Sequence, residues 1–261
     1  MKYNECHGHI AFGDKTLEEK LTILKKAGVT YWRDGGDPEG IGARHKWEII
    51  DFGIKFVTPV YAIYKEGLYG KYLGQPYEDM TGYKLALRVA KYGGADYIKL
   101  ILSGIASFKE PGKIIGGCVP EDEIREMVKI AHAEGMPVMA HCNGAQTIKI
   151  ALDAGIDSLE HGIFIDDEGI EMLSKSDCVW VPTITAIASE EVQAAHRLSV
   201  EKANGQGAKI ACGSDSGASG CELGKSTKNE YKALSDCGLE DAQITRADEI
   251  IKSKFSKYKN F

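Results

Sequence analysis

Five separated segments of the chain each carry a residue type that occurs at metal centres. The residues are His7 and His9 in ECHGHI, Lys99 in DYIKLILSG, His141 in VMAHCNG, His161 in SLEHG and Asp215 in ACGSDSG. Each lies within or just after a short apolar run. Histidine nitrogen together with carboxylate oxygen suits zinc or another divalent transition metal. The residue types therefore predict a metal-dependent enzyme, provided that the fold brings them together.

The elements that must position these residues alternate along almost the whole chain. Strand patterns occur at residues 3–10, 29–36, 54–64, 95–104, 137–142, 157–162, 178–185 and 208–215. Helical patterns occur at residues 17–28, 40–52, 82–92, 119–135, 147–155, 166–176, 189–205 and 225–236. Strands that alternate with helices predict a parallel sheet with right-handed crossovers.

This count of strands and helices predicts an α/β fold, a (β/α)8 TIM-type barrel, with residues 1–261 forming one domain. In such a barrel the carboxyl ends of different strands meet at one active site. The long connections after the third and fourth strands, at 65–79 and 104–119, fall on that side. We expect both to be loops without regular structure.

Single residues of this kind often have a structural explanation, whereas the set does not. His7 and His9 are two apart in a strand and so face the same side. Lys99 lies between Ile98 and Leu100, and lysine is rarely buried without a partner. One alternative is that it extends outward to solvent. Several ligand types in one order along one barrel favour a shared metal site.

The order of these residues resembles the binuclear amidohydrolase superfamily. That pattern is His7-Gly8-His9, a lysine on the fourth strand, histidines on the fifth and sixth, and an aspartate on the eighth. The segments VTYWRDGG, YIKLILSG, AHCNG, IDSLEHG and ACGSDSGA are most similar to the imidazolonepropionase-like and Xaa-Pro-dipeptidase-like branch. The resemblance covers nearly the whole chain.

The resemblance implies two divalent metal ions and a lysine that is carboxylated by carbon dioxide and bridges them. His7, His9, Lys99 and Asp215 would hold one ion, and Lys99, His141 and His161 the other. Zinc is the favoured metal, with manganese, iron and cobalt left open. Members of the family usually carry a small β-sandwich. Because His7 is so near the start, we expect the sandwich to be absent or vestigial here. The stretch between Thr185 and Ala208 is also short for this branch.

The implied reaction is hydrolysis of an amide bond in a small peptide-like or cyclic amide substrate. A metal-bridging hydroxide would attack, and Asp215 would take its proton and pass it to the leaving amine. Hydrolysis of an ester, lactone or phosphotriester remains an alternative, as does a binding or sensor barrel that keeps its metal. A deaminase is disfavoured because AHCNGAQTIK contains no glutamate, and a TatD-like nuclease because of Lys99.

Substrate contacts and cellular context are less strongly indicated. Five further residues close to strand ends are candidates to contact substrate: Arg33, Tyr61, Tyr64, Ser103 and Thr183. Arg33 could bind a substrate carboxylate or pair with the adjacent Asp34. The net charge of −6 and the absence of a contiguous basic run argue against nucleic acid as a partner.

The cysteines and the start of the chain indicate the expected compartment. Seven cysteines without a CxxC pair and no signal-peptide pattern favour a cytoplasmic protein with reduced thiols. No apolar run is long enough to span a membrane. We expect a small-molecule substrate and leave open a homo-oligomer. The lysines near the C-terminus are interpreted as a solvated helix face or tail: Lys252, Lys254, Lys257 and Lys259.

Overall fold

The computed structural model describes residues 2–110, 112–218 and 220–256. Its strands are β1 (Tyr3–Gly8), β2 (Val29–Asp34), β3 (Lys55–Val57), β4 (Ala62–Lys65), β5 (Gly74–Tyr77), β6 (Ile98–Ile101), β7 (Ser103–Ala106), β8 (Ile114–Cys118), β9 (Val138–Cys142), β10 (Ser158–His161), β11 (Val179–Val181) and β12 (Lys209–Ile210). Parallel strands alternating with outer helices form the expected barrel. Within the described ranges, the strands form no accessory β-sandwich.

The barrel strands lie in two parallel sheets that meet along two seams. One sheet has the order β1-β2-β3, and the other has the order β12-β11-β10-β9-β6-β4-β5. At one seam Cys6 N donates to Cys212 O at 2.9 Å, so β1 lies beside the segment that follows β12. At the other, Asp96 N donates to Thr58 O at 2.9 Å. The first and last strands are therefore neighbours, which brings the two ends of the sequence to one site.

The structure corrects one predicted strand and two predicted loops. The third strand, predicted over 54–64, is divided into β3 and β4, and Val60 between them has a positive φ of 71°. The predicted loop at 65–79 contains β5, which pairs with β4. The predicted loop at 104–119 is largely the antiparallel hairpin of β7 and β8. The strands β5, β7 and β8 are short and contain glycine, so they lack the alternation that marks a strand.

The outer layer consists of helices whose ends the sequence specifies locally. They are α1 (Leu17–Ala27), α2 (Ile41–Arg44), α3 (Lys46–Asp51), α4 (Met80–Tyr92), α5 (Glu121–Ala133), α6 (Ala145–Ala154), α7 (Asp167–Lys175), α8 (Glu190–Gly205), α9 (Lys225–Asp236) and α10 (Asp241–Phe255). For example, Thr16 and Glu19 form a capping box before α1, and Gly28 ends it with φ 87°. The predicted helix at 40–52 is divided into α2 and α3. No helix in the described residues combines the length and apolar character needed to cross a membrane.

The final helix, α10, was not predicted, because its few apolar residues are spread among charged ones. It packs against β1, β11 and β12. Its buried Ile251 and Phe255 join a core cluster with Tyr31 and Tyr97 from inside the barrel. Lys252 pairs with Glu249 within α10 and lies 5.5 Å from the Tyr31 ring, while Lys254 pairs with Asp157, which precedes β10. The other two C-terminal lysines, Lys257 and Lys259, lie outside the described residues.

Phe255→Ala is expected to lower the free energy of unfolding by about 3–5 kcal/mol, the usual effect of removing a buried aromatic ring. The Phe255 ring is fully buried, lies 5.2 Å from the Tyr97 ring in an edge-on arrangement, and is 4.6 Å from the Arg33 guanidinium. Urea denaturation would measure the loss. Leu198→Ala, at a position 64% exposed, is the control and should change stability by less than about 0.5 kcal/mol. Equal effects would mean that α10 does not support the barrel.

Candidate metal centre

The first and last strands place His7, His9 and Asp215 together. Asp215 N donates to His7 O at 2.8 Å and His9 N donates to Ser216 O at 2.7 Å, so the two backbones are fixed side by side. Asp215 Oδ1 then lies 3.5 Å from His7 Nε2 and 3.3 Å from His9 Nε2. Ligand atoms of the three residues all lie within 4.8 Å of one another. This spacing suits three ligands of one ion.

The other predicted ligands adjoin this group. The His161 ring centroid lies 4.9 Å from that of His7 and 4.6 Å from that of His141, so His161 connects the two. Lys99 is fully buried in β6, the neighbour of the strand that bears His141. The barrel thus brings all the sequence-predicted ligand positions to one region.

Two buried polar atoms in this region lack a hydrogen-bond partner. They are Lys99 Nζ and Asp215 Oδ1. Although Asp215 Oδ1 lies 3.3 Å from His9 Nε2, the geometry does not complete a hydrogen bond. Buried polar groups are nearly always satisfied, so unpaired atoms need an explanation. Nitrogen and oxygen donors that converge without protein partners fit the coordination of divalent metal ions.

Burial favours the protonation states that bind metals. It lowers the pKa of His7 to about 4 and that of His141 to about 3, and it lowers the pKa of His161 well below its usual value. Burial alone would raise the pKa of Asp215, but the neighbouring histidines bring it below the ordinary value. At neutral pH the imidazoles are therefore neutral and the carboxylate is ionised, as metal binding requires.

Burial also affects the pKa of Lys99, in the same direction as those of the histidines. Burial lowers its pKa to about 8, since an ammonium group is destabilised away from water. The neutral amine is therefore more populated than in an exposed lysine. This state is compatible with covalent modification of Nζ.

Glu160 orients His7 and was not found from the sequence. Its Oε2 lies 2.6 Å from His7 Nδ1, which leaves Nε2 facing Asp215. Its Oε1 accepts from Arg33 at 2.8 Å, and Ser158 also donates to it. Burial would raise its pKa, but Arg33 and His7 outweigh burial and lower it to about 2. Carboxylates in this position commonly orient metal-binding histidines. The sequence feature that could have indicated this role is a glutamate inside an apolar strand, directly before His161.

Glu5 fixes the turn that carries Asp215. Its carboxylate accepts from Ser214 N at 2.7 Å, from Ser214 Oγ at 2.6 Å and from Thr227 Oγ1 at 2.5 Å. It is completely buried, which raises its pKa to about 7. Glu5 therefore ties β1 to both the turn and α9.

Three residues of the site have a left-handed backbone conformation, which sets the direction of their side chains. His161, Thr183 and Asp215 have φ values of 65°, 48° and 59°. Such conformations cost non-glycine residues about 1–3 kcal/mol and tend to occur at functional sites. At the end of β10 the conformation allows His161 and the preceding Glu160 both to contact the same region, against the alternation of a regular strand.

The structure gives two of the five predicted substrate contacts other roles. Tyr61 is directed to α4 and donates to Ala86 O at 2.8 Å. Arg33 is fully buried and pairs with Glu160, so it forms an internal ion pair, though not with Asp34. Both groups are held by the protein itself, which argues against contact with substrate.

The other three candidates lie near the group of predicted metal ligands. Ser103 Oγ accepts from Asn143 N at 2.8 Å, beside His141, and Thr183 Oγ1 lies 2.8 Å from His161 Nδ1. Tyr64 is buried in a cluster with Ile101, next to Tyr69.

Two aromatic side chains border the group of predicted metal ligands, and the sequence did not indicate either of them. Phe12 stacks on the His9 ring at 4.9 Å and 12°. The Tyr69 ring lies 5.4 Å from that of His141. Both are only partly buried, so they form part of the surroundings that a bound molecule would meet.

Comparison with known proteins agrees with this fold and arrangement. The model of the Amidohydrolase family matches residues 48–251, most of the chain, and the protein belongs to that family. Family members generally bind divalent metals and hydrolyse their substrates.

Individual relatives cover different shares of the chain. A solved Xaa-Pro dipeptidase superimposes with a TM-score of 0.78 at 21% identity, covering 98% of this chain and 77% of that one. Ochratoxinase of Aspergillus niger gives a TM-score of 0.74 at 19% identity, covering 98% and 69%. In sequence, ochratoxinase is 30% identical over 102 residues, 39% of this chain and 21% of that protein.

A protein of unknown function from Mycobacterium tuberculosis is 27% identical over 128 residues, 44% of this chain and 33% of its own. The matched segments thus span a third or less of these curated relatives. The structural similarities, all at low identity, concern the fold.

Proposed function

We propose that this protein is a binuclear metal-dependent amidohydrolase that cleaves an amide bond in a small peptide-like or cyclic amide substrate. The observation that carries the proposal is the convergence of four buried histidines on two buried polar atoms without a hydrogen-bond partner, Lys99 Nζ and Asp215 Oδ1. His7, His9, Lys99 and Asp215 would hold one ion, and Lys99, His141 and His161 the other. Carboxylation of Lys99 by carbon dioxide would turn a buried cation into an anion with two ligand oxygens.

Two divalent ions held by these residues, with zinc favoured, would supply an activated water nucleophile at neutral pH and Lewis-acid polarisation of the scissile carbonyl. Asp215 supplies the proton transfers in the proposed mechanism. Its carboxylate is ionised, so it can accept the proton of the attacking water and deliver it to the leaving nitrogen. Glu160 and Thr183 keep the ring nitrogens of His7 and His161 directed into the site.

Two comparisons and one chemical argument favour an amide as the substrate. One similar structure is by its title an Xaa-Pro dipeptidase, and another is a bottromycin amidohydrolase. The protein family is itself the Amidohydrolase family. An amide also makes use of Asp215, because an amine leaves readily only after it has been protonated.

Protein purified without chelator is expected to contain close to two divalent ions per chain and to hydrolyse dipeptides or cyclic amides. Elemental analysis and a panel of amides, esters, lactones and phosphotriesters would test both points. Chelation should abolish turnover, and added zinc or manganese should restore it. His141→Asn should lose metal, whereas His45→Asn, at an exposed position paired with Glu48, should retain it.

Other outcomes of this experiment have defined meanings. A maximum of one ion after metal supplementation would contradict the binuclear site. Turnover of esters, lactones or phosphotriesters but not of amides would replace the proposed substrate class. Metal-replete protein that is inactive across the whole panel would support a binding function.

A further inference from the structure

The turn after β11 holds the hydroxyl group that contacts His161. Thr183 has φ 48° and ψ 44°, a left-handed conformation that is unusual for a β-branched residue. Its Oγ1 lies 2.8 Å from His161 Nδ1. Because Trp180 Nε1 also donates to His161 O at 2.9 Å, both the backbone and the ring of His161 are fixed. The His161 Nε2 atom is thereby left facing the other histidines.

A buried carboxylate on α9, that of Glu230, holds the residues that follow Thr183 in this turn. Glu230 Oε1 accepts from Ile184 N at 2.8 Å, and its Oε2 accepts from both Thr185 N and Thr185 Oγ1, each at 2.8 Å. These donors come from the two residues that follow Thr183. Glu230 is completely buried and touches none of the proposed ligands.

A neighbouring helix holds the carbonyl groups of the same segment. From α8, Gln193 Nε2 donates to Ile184 O at 3.0 Å, and His196 Nε2 lies 3.0 Å from Pro182 O. The carbonyl groups of this segment are therefore bound by α8, and its backbone N–H groups are bound by Glu230. Glu230 binds the N–H groups of the two residues directly after Thr183. The left-handed conformation of Thr183 aligns these N–H groups.

We propose that Glu230 is a positioning residue for His161. Its carboxylate keeps residues 183–185 in the conformation that directs the Thr183 hydroxyl to His161 Nδ1. The inference rests on the proposed function, in which His161 Nε2 binds one of two metal ions. Partners that orient metal-binding histidines commonly affect metal affinity strongly, and here that effect is transmitted through a turn.

Glu230→Gln is the most conservative test, because it preserves the size of the side chain. The amide offers one acceptor oxygen where the carboxylate offers two, so the donors of Thr185 and Ile184 cannot all be satisfied. Zinc titration in competition with a chelator should show an affinity lower by roughly 10–100-fold for one ion and unchanged for the other. The measurement belongs at pH 8, since burial raises the pKa of Glu230 to about 7.

The route through Thr183 is tested by a double-mutant cycle. Thr183→Val removes the hydroxyl and should weaken the same ion, whereas Thr183→Ser keeps it and should restore most of the affinity. Combining Glu230→Gln with Thr183→Val should add little to the loss in Thr183→Val alone, because both act through one hydrogen bond. Fully additive losses would overturn the proposal.

A control separates positioning from general stability. Val128→Ala, in the α5 core, should lower the melting temperature and leave both zinc affinities unchanged. If Glu230→Gln does the same, its role is structural and the proposal is wrong. Should Glu230→Gln fail to fold, Thr185→Val removes one of the three donors and decides the question by the same titration.

The imidazole nitrogen spectrum of the metal-free protein distinguishes this inference from the proposed function. Wild type should show a single His161 tautomer, assigned by the signal that His161→Gln removes, and Glu230→Gln should show a mixture. Wild type that binds none of zinc, manganese, iron and cobalt would overturn the proposed function, while this spectrum would still decide the role of Glu230. Identical tautomer populations in the two proteins would overturn the positioning role.

Discussion

Asp215→Asn is expected to reduce kcat by roughly 10²–10⁴-fold, the usual contribution of general acid–base catalysis. Asparagine has nearly the same volume and keeps one ligand oxygen, so the fold and part of the metal should remain. It cannot accept a proton at neutral pH. Because the proton transfer occurs in the transition state, the loss should appear mainly in kcat, and KM should change little.

Steady-state kinetics with metal analysis on the same sample would measure this effect. Asp153→Asn, on the surface in an ion pair with Arg125, is the matched control and should leave kcat unchanged. An Asp215→Asn variant with full metal and unchanged kcat would show that another group moves the proton. The mechanism would then have to be withdrawn, whereas the metal site would not.

Lys99→Ala is expected to lose metal and activity together, since the proposed bridging group of both ions would be removed. Lys99→Arg should not replace it, because guanidinium stays a cation and cannot be carboxylated. The structure supports this expectation through Lys99 Nζ, which is buried without a hydrogen-bond partner. Metal content, activity and electron density at Nζ would be measured.

Short carboxylic acids supplied with bicarbonate should partly restore metal and activity in Lys99→Ala, because they provide the missing oxygen ligands. Lys91→Ala, on the surface and paired with Glu134, serves as the control and should behave as wild type. Full activity in Lys99→Ala or in Lys99→Arg would exclude the bridging role. Loss of activity with both ions still bound would assign Lys99 a different task.

The separation of the candidate ligands along the chain explains why the sequence could predict that they lie together. His7, His141 and His161 each lie near the carboxyl end of a strand, and a parallel barrel brings such ends together whatever the details of packing. Their residue types and order were visible in the sequence. So was the alternation of strands and helices, because strongly periodic segments form the same element in most contexts.

Contacts between distant segments could not be predicted in the same way. Glu160, Glu5 and Glu230 are each separated from their principal partners by at least 45 residues, and nothing local shows that they are buried. The hairpin of β7 and β8 was missed because glycines obscure its pattern. Arg33 looked equally suited to a substrate carboxylate or to Asp34, and only the tertiary structure showed that its partner is Glu160 of β10.

The sequence by itself determined the barrel, the order of the candidate ligands and the chemistry that such ligands would support. Only the tertiary structure decided how they are oriented. Orientation depends on left-handed backbone at His161, Thr183 and Asp215 and on carboxylates from other strands and helices. Those conformations are unfavourable locally and persist because distant residues hold them. A pattern of residue types records local preference, so it cannot show where the rest of the fold overrides that preference.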